Sequence, residues 1–196
     1  METVAPNWPV AKGDCYAGRL DSHIAVVTLA SSLEPYDEAA IWGSCKTENL
    51  GAEKIILNVI SNSNIRYVLV CGSESRGHLA GHTFVALHSN GIDHQGRIIG
   101  SDGAIPFIEN LGRDLIARFQ EQVEVIERIG LTDMTKIREI VDACRSKGDV
   151  FDEAPAVIKS SRKRRSFSHV ASGDIIVSDG LMIDTTLGIV CDVDKT

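Results

Sequence analysis

The sequence predicts an α/β fold, a mostly parallel sheet with flanking helices, followed by a small C-terminal β-hairpin extension. Three observations carry that prediction. Short β-branched and apolar runs alternate with stretches whose apolar residues recur at helical spacing, the pattern of βαβ units. The run Val68-Leu69-Val70-Cys71-Gly72-Ser73-Glu74-Ser75-Arg76-Gly77-His78 empties a buried strand into a glycine-bearing turn that ends on an imidazole. Open α/β sheets place ligands beyond the carboxyl ends of their strands, where glycine lets the backbone approach closely. In the tail, Asp179-Gly180 separates the apolar runs Ile175-Ile176-Val177 and Leu181-Met182-Ile183, a strong hairpin signal.

Along the chain, residues 24–29 read as a buried strand ending in the small, polar Ala30-Ser31-Ser32. Thr47 caps a helix over residues 48–61, with Leu50, Leu57 and Ile60 at helical spacing and Asn62-Ser63-Asn64 stopping it. Residues 65–71 form the second strong strand. A helix over residues 78–89 follows, packing Leu79, Val85 and Ala86 and ending at Asn90-Gly91. Residues 97–99 read as a short strand, Asn110 caps a helix running to Gln120, and residues 123–129 supply a further sheet strand. Thr132 caps the last helix, to Ser146, whose Met134, Ile137, Val141 and Cys144 form an apolar stripe closed by Gly148. Residues 1–155 are therefore the α/β body, 156–172 a basic linker containing Lys159-Ser160-Ser161-Arg162-Lys163-Arg164-Arg165, and 173–196 the β extension.

A chain of 196 residues, 43% hydrophobic and 24% charged, has room for one ordinary globular domain with a small appendage. Its net charge of −7 argues against a general nucleic-acid binder, because phosphate backbones would be repelled. Cys15, Cys45, Cys71, Cys144 and Cys191 are odd in number and scattered, without a Cys-x-x-Cys pair. They encode neither a disulfide framework nor a zinc knuckle, and a reducing cytoplasm fits them. No basic-then-apolar leader opens the chain, and its apolar stretches fall far short of the ~20 residues that span a bilayer.

His78 has two readings on spacing alone: a helix-start histidine satisfied locally, or an axial ligand to a metal or metallocofactor. His82 lies four residues on, so the pair suits zinc, with His88 or Glu74 as a third ligand. Leu79-Ala80-Gly81 supplies no general-base glutamate between them, which disfavours a zinc hydrolase. The segment Arg76-Gly77-His78-Leu79-Ala80-Gly81 also resembles the Asp-x-His-x-x-Gly element of many cobalamin-binding domains, with Arg76 where the imidazole-orienting aspartate belongs. A guanidinium cannot accept a hydrogen bond, and Glu74 is the nearest substitute by sequence. Cys71 beside His78 reads as a small core residue before it reads as a nucleophile. Lys46, Glu48 and Asn49 open a helix, where an anion suits the dipole, and also lie where a cofactor would bind. Trp8 and Trp42 either flank a planar ligand or pack. Ala30-Ser31-Ser32-Leu33-Glu34 is no Gly-x-Gly-x-x-Gly turn, which disfavours a nucleotide-binding enzyme.

Longer words carry a family resemblance. They are Asn7-Trp8-Pro9-Val10-Ala11-Lys12-Gly13, Gly43-Ser44-Cys45-Lys46-Thr47-Glu48-Asn49-Leu50-Gly51, Ile65-Arg66-Tyr67, Cys71-Gly72-Ser73-Glu74-Ser75-Arg76-Gly77-His78, Gly103-Ala104-Ile105-Pro106-Phe107-Ile108-Glu109-Asn110-Leu111 and Arg118-Phe119-Gln120-Glu121-Gln122-Val123-Glu124-Val125. Over residues 6–154 the chain resembles the A subunit of the tetrahydromethanopterin S-methyltransferase complex, its corrinoid-carrying component. Two departures stand out: His82 replaces a glutamine of family members, and Ala30-Ser31-Ser32-Leu33 replaces their Gly-Ser-His-Leu. Many members also carry a C-terminal transmembrane helix, which this sequence does not show.

The resemblance implies a Rossmann-like corrinoid-binding domain in which His78 is the cobalt ligand and catalytic residue. It implies cofactor contacts from Ser31, Ser32 and Leu33 after the first strand, and from Ser44, Cys45, Lys46, Thr47, Glu48 and Asn49 before the first helix. Gly72, Ser73, Glu74, Gly77 and Gly81 would contribute around His78, with Gly103, Ala104, Ile105 and Pro106 on a later loop. The implied cofactor is a cobamide, 5-hydroxybenzimidazolylcobamide or another cobalamin, with its cobalt. The implied activity, a step of methanogenesis and one-carbon metabolism, moves a methyl group from methyl-tetrahydromethanopterin or a related pterin, by way of cobalt, to coenzyme M or another thiol. In the family this is coupled to sodium translocation. Partner methyltransferase subunits of a membrane-associated complex would bring the pterin and thiol, and the chain would sit in the cytoplasm or at the cytoplasmic face of the membrane. Nucleic acid is not an expected partner. The alternatives are a non-catalytic homologue serving as an interaction module, and a zinc-binding protein using His78 and His82.

Overall fold

In the computed structural model, which describes residues 2–156 and three strands within residues 175–192, the chain divides into two units, Met1–Ile158 and Lys159–Thr196. The first is built on a five-stranded mixed sheet of β1 (Cys15–Ala17), β2 (Ile24–Val27), β3 (Ile41–Gly43), β4 (Tyr67–Gly72) and β5 (Glu124–Ile129). Their spatial order is β1-β3-β2-β4-β5; β3, β2, β4 and β5 run parallel, and β1 pairs antiparallel at the edge. Four helices accompany the sheet: α1 (Leu50–Ile60), α2 (Ala80–Asn90), α3 (Arg113–Gln122) and α4 (Met134–Cys144).

Period-two alternation divides the strands between two apolar layers. Ala25, Val27, Val68 and Val70 pack with Ile56, Val59, Phe84, Leu87, Ile116 and Phe119 from α1, α2 and α3. Ile24, Val26, Trp42, Leu69 and Cys71 face the other way, onto Ile137, Val141 and Cys144 of α4. A parallel sheet must be covered on both faces, which is why β2 and β4 read as continuous apolar runs. The chain runs from β2 to β3 on one side, then crosses by way of α1 to β4 on the other side of β2. That reversal opens a crevice beyond the carboxyl ends of β2 and β4, the usual ligand position in such sheets.

The structure corrects several boundaries. The first helix starts at Leu50 rather than residue 48, with Asn49 at its cap accepting from Leu50 N, while Thr47 Oγ1 accepts from Gly51 N. The second starts at Ala80 because Leu79 is left-handed, with φ 47. Asn110 does not cap the third, which starts at Arg113; its amide groups bind the Glu53 carboxylate at 2.8 and 2.9 Å and pin the loop to α1. Asp133, not Thr132, caps α4. Residues 97–99 form isolated bridges, Ile92 with Ile98 and Arg97 with Phe107, in place of a strand. The three-residue β1 and β3 were not anticipated, being too short to show alternation.

Described by itself, the second unit carries an antiparallel three-stranded sheet, β6 (Ile175–Ser178), β7 (Leu181–Asp184) and β8 (Ile189–Asp192). The expected hairpin pairs β6 with β7, and β8 adds a third strand. The Asp179-Gly180 turn and the basic run Lys159–Arg165 lie outside the described residues.

One buried side chain joins three parts of the first unit. Gln122, fully buried, donates from Nε2 to the carbonyls of Val59, Asn62 and Ile65 at 3.0, 2.9 and 3.0 Å. These are the orphan acceptors where α1 ends and the chain turns toward β4. Gln122→Leu should lower stability by about 2–4 kcal/mol, because it strands buried acceptors. Gln122→Glu should lower it further at neutral pH, since an ionised carboxylate offers no donor. Urea midpoints of the three proteins check both.

Candidate functional site

The loop that carries His78 is anchored at both ends. β4 closes on Gly72 at φ +81, where a Cβ would collide with the Thr28 carbonyl oxygen, so only glycine lets the β2 and β4 ends meet this closely. Ser73 N then donates to Ser31 Oγ at 2.8 Å and Ala30 N to Ser73 O at 3.0 Å, which ties the two post-strand loops together. At the far end the Glu74 carboxylate accepts from Gly81 N and His82 N at 2.9 and 3.0 Å. Those are otherwise unpaired donors at the start of α2, where a negative charge also complements the helix dipole. Glu74 is therefore occupied as a cap and is not the acceptor that orients His78. Gly81 packs, with a Cβ there meeting Leu29 Cδ1 at 2.7 Å, and Gly77 at φ +80 faces open space.

The imidazole's partner is Glu48. His78 Nδ1 lies 2.7 Å from Glu48 Oε2, and the carboxylate side chain is 1% exposed while the ring is 48% exposed. Glu48 Oε1 accepts from Ile105 N at 2.6 Å. Burial alone would raise the pKa of Glu48, but the backbone N–H groups of Ile105 and Glu48 itself, with His78, outweigh it and hold the carboxyl below its ordinary value. An ionised Glu48 accepts only, so Nδ1 of His78 must be the donor. In the neutral ring Nε2 then keeps its lone pair, on a half-exposed imidazole. A histidine whose second nitrogen is tied to a carboxylate is the usual arrangement of a metal-ligating imidazole. The residues present thus fit an axial ligand to a metallocofactor through His78 Nε2.

A third loop closes against this pair. A Cβ at Gly103 would come within 2.8 Å of His78 O, 2.7 Å of Thr83 Oγ1 and 3.2 Å of Glu48 Cγ, so the loop rests directly on both residues. Ala104 and Ile105 are exposed beside them, whereas Pro106 is buried and its carbonyl accepts from Ile98 N. Ser31, Ser32, Leu33, Ser44 and Lys46 line a separate cleft of about 410 Å³ at the ends of β2 and β3. Cys45 belongs to the core: burial pushes its thiol up to about 12, as it does that of Cys71, so neither is a nucleophile at neutral pH. A second cavity, of about 320 Å³, lies between α1 and the sheet and is lined by Cys45, Lys46, Thr47 and Lys54 among others.

The zinc alternative loses its geometric basis. Because α2 begins at Ala80, His78 is not one helical turn below His82. His88 Nε2 is 2.8 Å from Val123 O, and Glu74 is spent on backbone amides. Among the described residues no group of three or more His, Cys, Asp or Glu side chains is placed to hold a metal ion. Proximity in sequence pointed to Glu74 as the orienting acid. The acid in the structure is 30 residues away from His78 and was anticipated only as a helix-start or cofactor-binding residue.

The first unit is thus an α/β domain that presents a carboxylate-oriented, half-exposed imidazole beyond its strand ends, at the sheet's switch point. Residues 1–166 match the family model that describes the A subunit of tetrahydromethanopterin S-methyltransferase. The chain is 60% identical to the A subunit of the putative methyltransferase Mtx of Methanosarcina acetivorans, over 97% of this chain and 98% of that protein. It is 56% identical to the Methanosarcina barkeri protein of the same name, over 97% and 98% respectively. With the tetrahydromethanopterin S-methyltransferase A subunit of Methanosphaera stadtmanae it shares 47% identity, over 80% of this chain and 65% of that protein. The chain belongs to the family of tetrahydromethanopterin S-methyltransferase A subunits, and is a methyltransferase subunit.

Glu48→Ala should free the loop that it holds. The amide protection of Ile105 should fall roughly 10- to 100-fold, the value of one hydrogen bond to a charged group. In the wild type the sign follows from the lowered pKa: the ionised form's contribution is fully present above the ordinary glutamate value and is lost only as pH falls through the lower, folded value. Ile105 protection should therefore persist at pH values where an ordinary glutamate is already protonated, as measured by NMR hydrogen exchange.

Proposed function

We propose that this chain is the corrinoid-carrying subunit of a multi-subunit methyltransferase, holding a cobamide through His78. The observation that carries this reading is the Glu48–His78 pair, which leaves Nε2 as a ligand on a half-exposed ring. A bound cobamide would supply a cobalt centre able to take a methyl group from one substrate and yield it to another. Glu48 keeps Nδ1 protonated and the ring oriented, and its hold on Ile105 N fixes the loop beside it. The Gly103 to Pro106 loop and the loops at Ser31 and Ser73 would form the rest of the cradle.

The family's description names tetrahydromethanopterin; in this proposal methyl-tetrahydromethanopterin or a related pterin is the donor and coenzyme M or another thiol the acceptor, both presented by partner subunits. Sodium coupling and attachment at the cytoplasmic face of a membrane would be properties of the assembled complex. No helix among the described residues is long and apolar enough to cross a membrane. The match to the Mtx proteins runs over 97% of the chain, whereas the match to the Methanosphaera stadtmanae protein covers 80%. That difference favours an assembly of the Mtx kind, with its own donor or acceptor, over the sodium-coupled one.

The test is cobalt content and the visible spectrum after incubation with aquacobalamin and desalting. The wild type should retain cobalt with an imidazole-ligated spectrum, and His78→Ala should lose that spectral signature. Glu48→Gln should weaken binding roughly 10- to 100-fold, the usual cost of removing a ligand-orienting group. A wild type that retains no cobalt overturns the reading.

A further inference from the structure

Thr83 and Ser101 bring two buried hydroxyls together. Thr83 lies in the first turn of α2, fully buried, and its Oγ1 is 2.7 Å from the Oγ of Ser101, a residue 6% exposed. Either oxygen can be the donor. Ser101 Oγ also accepts from Gly103 N at 3.1 Å, so it turns its own loop as it meets the helix. Burying a hydroxyl costs free energy that a hydrogen bond only roughly offsets, and two apolar side chains of the same shape would fill this space with little change in stability. What the hydroxyls add is direction. A hydrogen bond sets a distance and an angle, whereas apolar surfaces slide.

The loop placed in this way is the one beside the imidazole. Its base is closed by Ile98 N donating to Pro106 O at 2.8 Å, and its returning limb by Ile105 N on Glu48 Oε1 at 2.6 Å. Those two bonds hold adjacent residues on one limb. On the outgoing limb Ser101 N reaches Ile98 O only at 3.4 Å, and the short contact is the one to Thr83. Thr83 lies five residues past His78 and its N–H donates to Leu79 O at 2.9 Å, so the helical turn that follows the imidazole carries the anchor. The fit is close. A Cβ on Gly103 would come within 2.7 Å of Thr83 Oγ1 and 2.8 Å of His78 O.

We propose that Thr83 and Ser101 are positioning residues of the cofactor site: their hydroxyl pair sets where the Gly103 to Pro106 loop stands beside His78, by tying that loop to the helix the imidazole precedes. This rests on the cofactor reading above and adds to it two residues outside the set expected to touch the cofactor. Glu48 orients the ring and holds one limb of the loop; the hydroxyl pair holds the other.

The experiment compares the wild type with Thr83→Val/Ser101→Ala, Thr83→Ser and His78→Ala, by urea unfolding, amide exchange at Ile105 and affinity for aquacobalamin. The double variant removes both hydroxyls together, so neither is left buried without its partner, and its urea midpoint should stay close to that of the wild type. Its Ile105 amide should nevertheless exchange about 5- to 10-fold faster, although Glu48 is untouched, the value of one hydrogen bond. Affinity for aquacobalamin should fall by a similar factor, with the imidazole-ligated spectrum retained. Thr83→Ser keeps the hydroxyl and should match the wild type in exchange and affinity. Unchanged affinity of the double variant overturns the inference. A urea midpoint that falls with protection lost equally at every amide overturns it too, because the pair is then ordinary core packing. Both results leave the cofactor reading intact, provided the wild type retains cobalt and His78→Ala loses its axial signature. A wild type that retains no cobalt removes both the inference and the reading.

Discussion

A carboxylate taken out of water costs several kcal/mol unless paired, and Glu48 is almost wholly buried. Its compensation comes from the Ile105 amide, its own amide and the His78 ring. Those groups belong to loops that follow β3, β4 and α2, so one acid ties three segments that the sequence scatters over almost 60 residues. The lowered pKa keeps Glu48 an ionised acceptor, and such an acceptor dictates the tautomer of its partner in the neutral ring. The chemistry available at His78 Nε2 thus follows from the burial of a residue that never reaches the surface.

Sheet topology explains why these loops meet. Strand order reverses about β2, so the loops after β2 and β4 must part, yet Gly72 lets the two strand ends touch and Ser31 stitches the loops together. What parts is the layer above, where His78, Glu48 and Gly103 stack. Glu74 supports this at one remove: by satisfying the first amides of α2 it allows Leu79 to adopt the left-handed conformation that separates His78 from the helix. A His78 within the helix would have carried its ring along the helix face, away from Glu48.

Much of this was legible in sequence, for identifiable reasons. β2, β4 and α1 are long, apolar and bounded by turn residues, and periodicity found them within a few positions. The strand-to-loop transition at Cys71-Gly72 marked the crevice beyond the strand ends, and His78 stood out there as an imidazole, though it read as the first residue of the next helix. The short β1 and β3 escaped because three residues carry no alternation, and their strand character comes from pairing with neighbours. Three helix starts were misplaced because Thr47, Asn110 and Thr132 have side chains that cap well in isolation, while the structure caps at Asn49, Gly112 and Asp133 and spends Asn110 on Glu53; the fourth was misplaced because Leu79 is left-handed. Glu48 was expected among the cofactor contacts but not as the partner of His78, since a contact across 30 residues leaves no mark in local spacing.

For the carrier proposed above, exposure of the ligand matters as much as its orientation. A group that must meet one partner's active site to be loaded and another's to be unloaded cannot be enclosed by its own domain. The site reconciles that demand with rigidity by division of labour: the orienting acid is buried and fixed, and the ring that would touch the metal is half-exposed. The matched region, residues 1–166, contains every residue placed around this pair. Relatives of 47% and 60% identity share that body but differ in how much of each chain the likeness spans. The apparatus that orients the imidazole, Glu48, His78 and the loops they hold, therefore lies wholly within the part of the chain by which the family is defined.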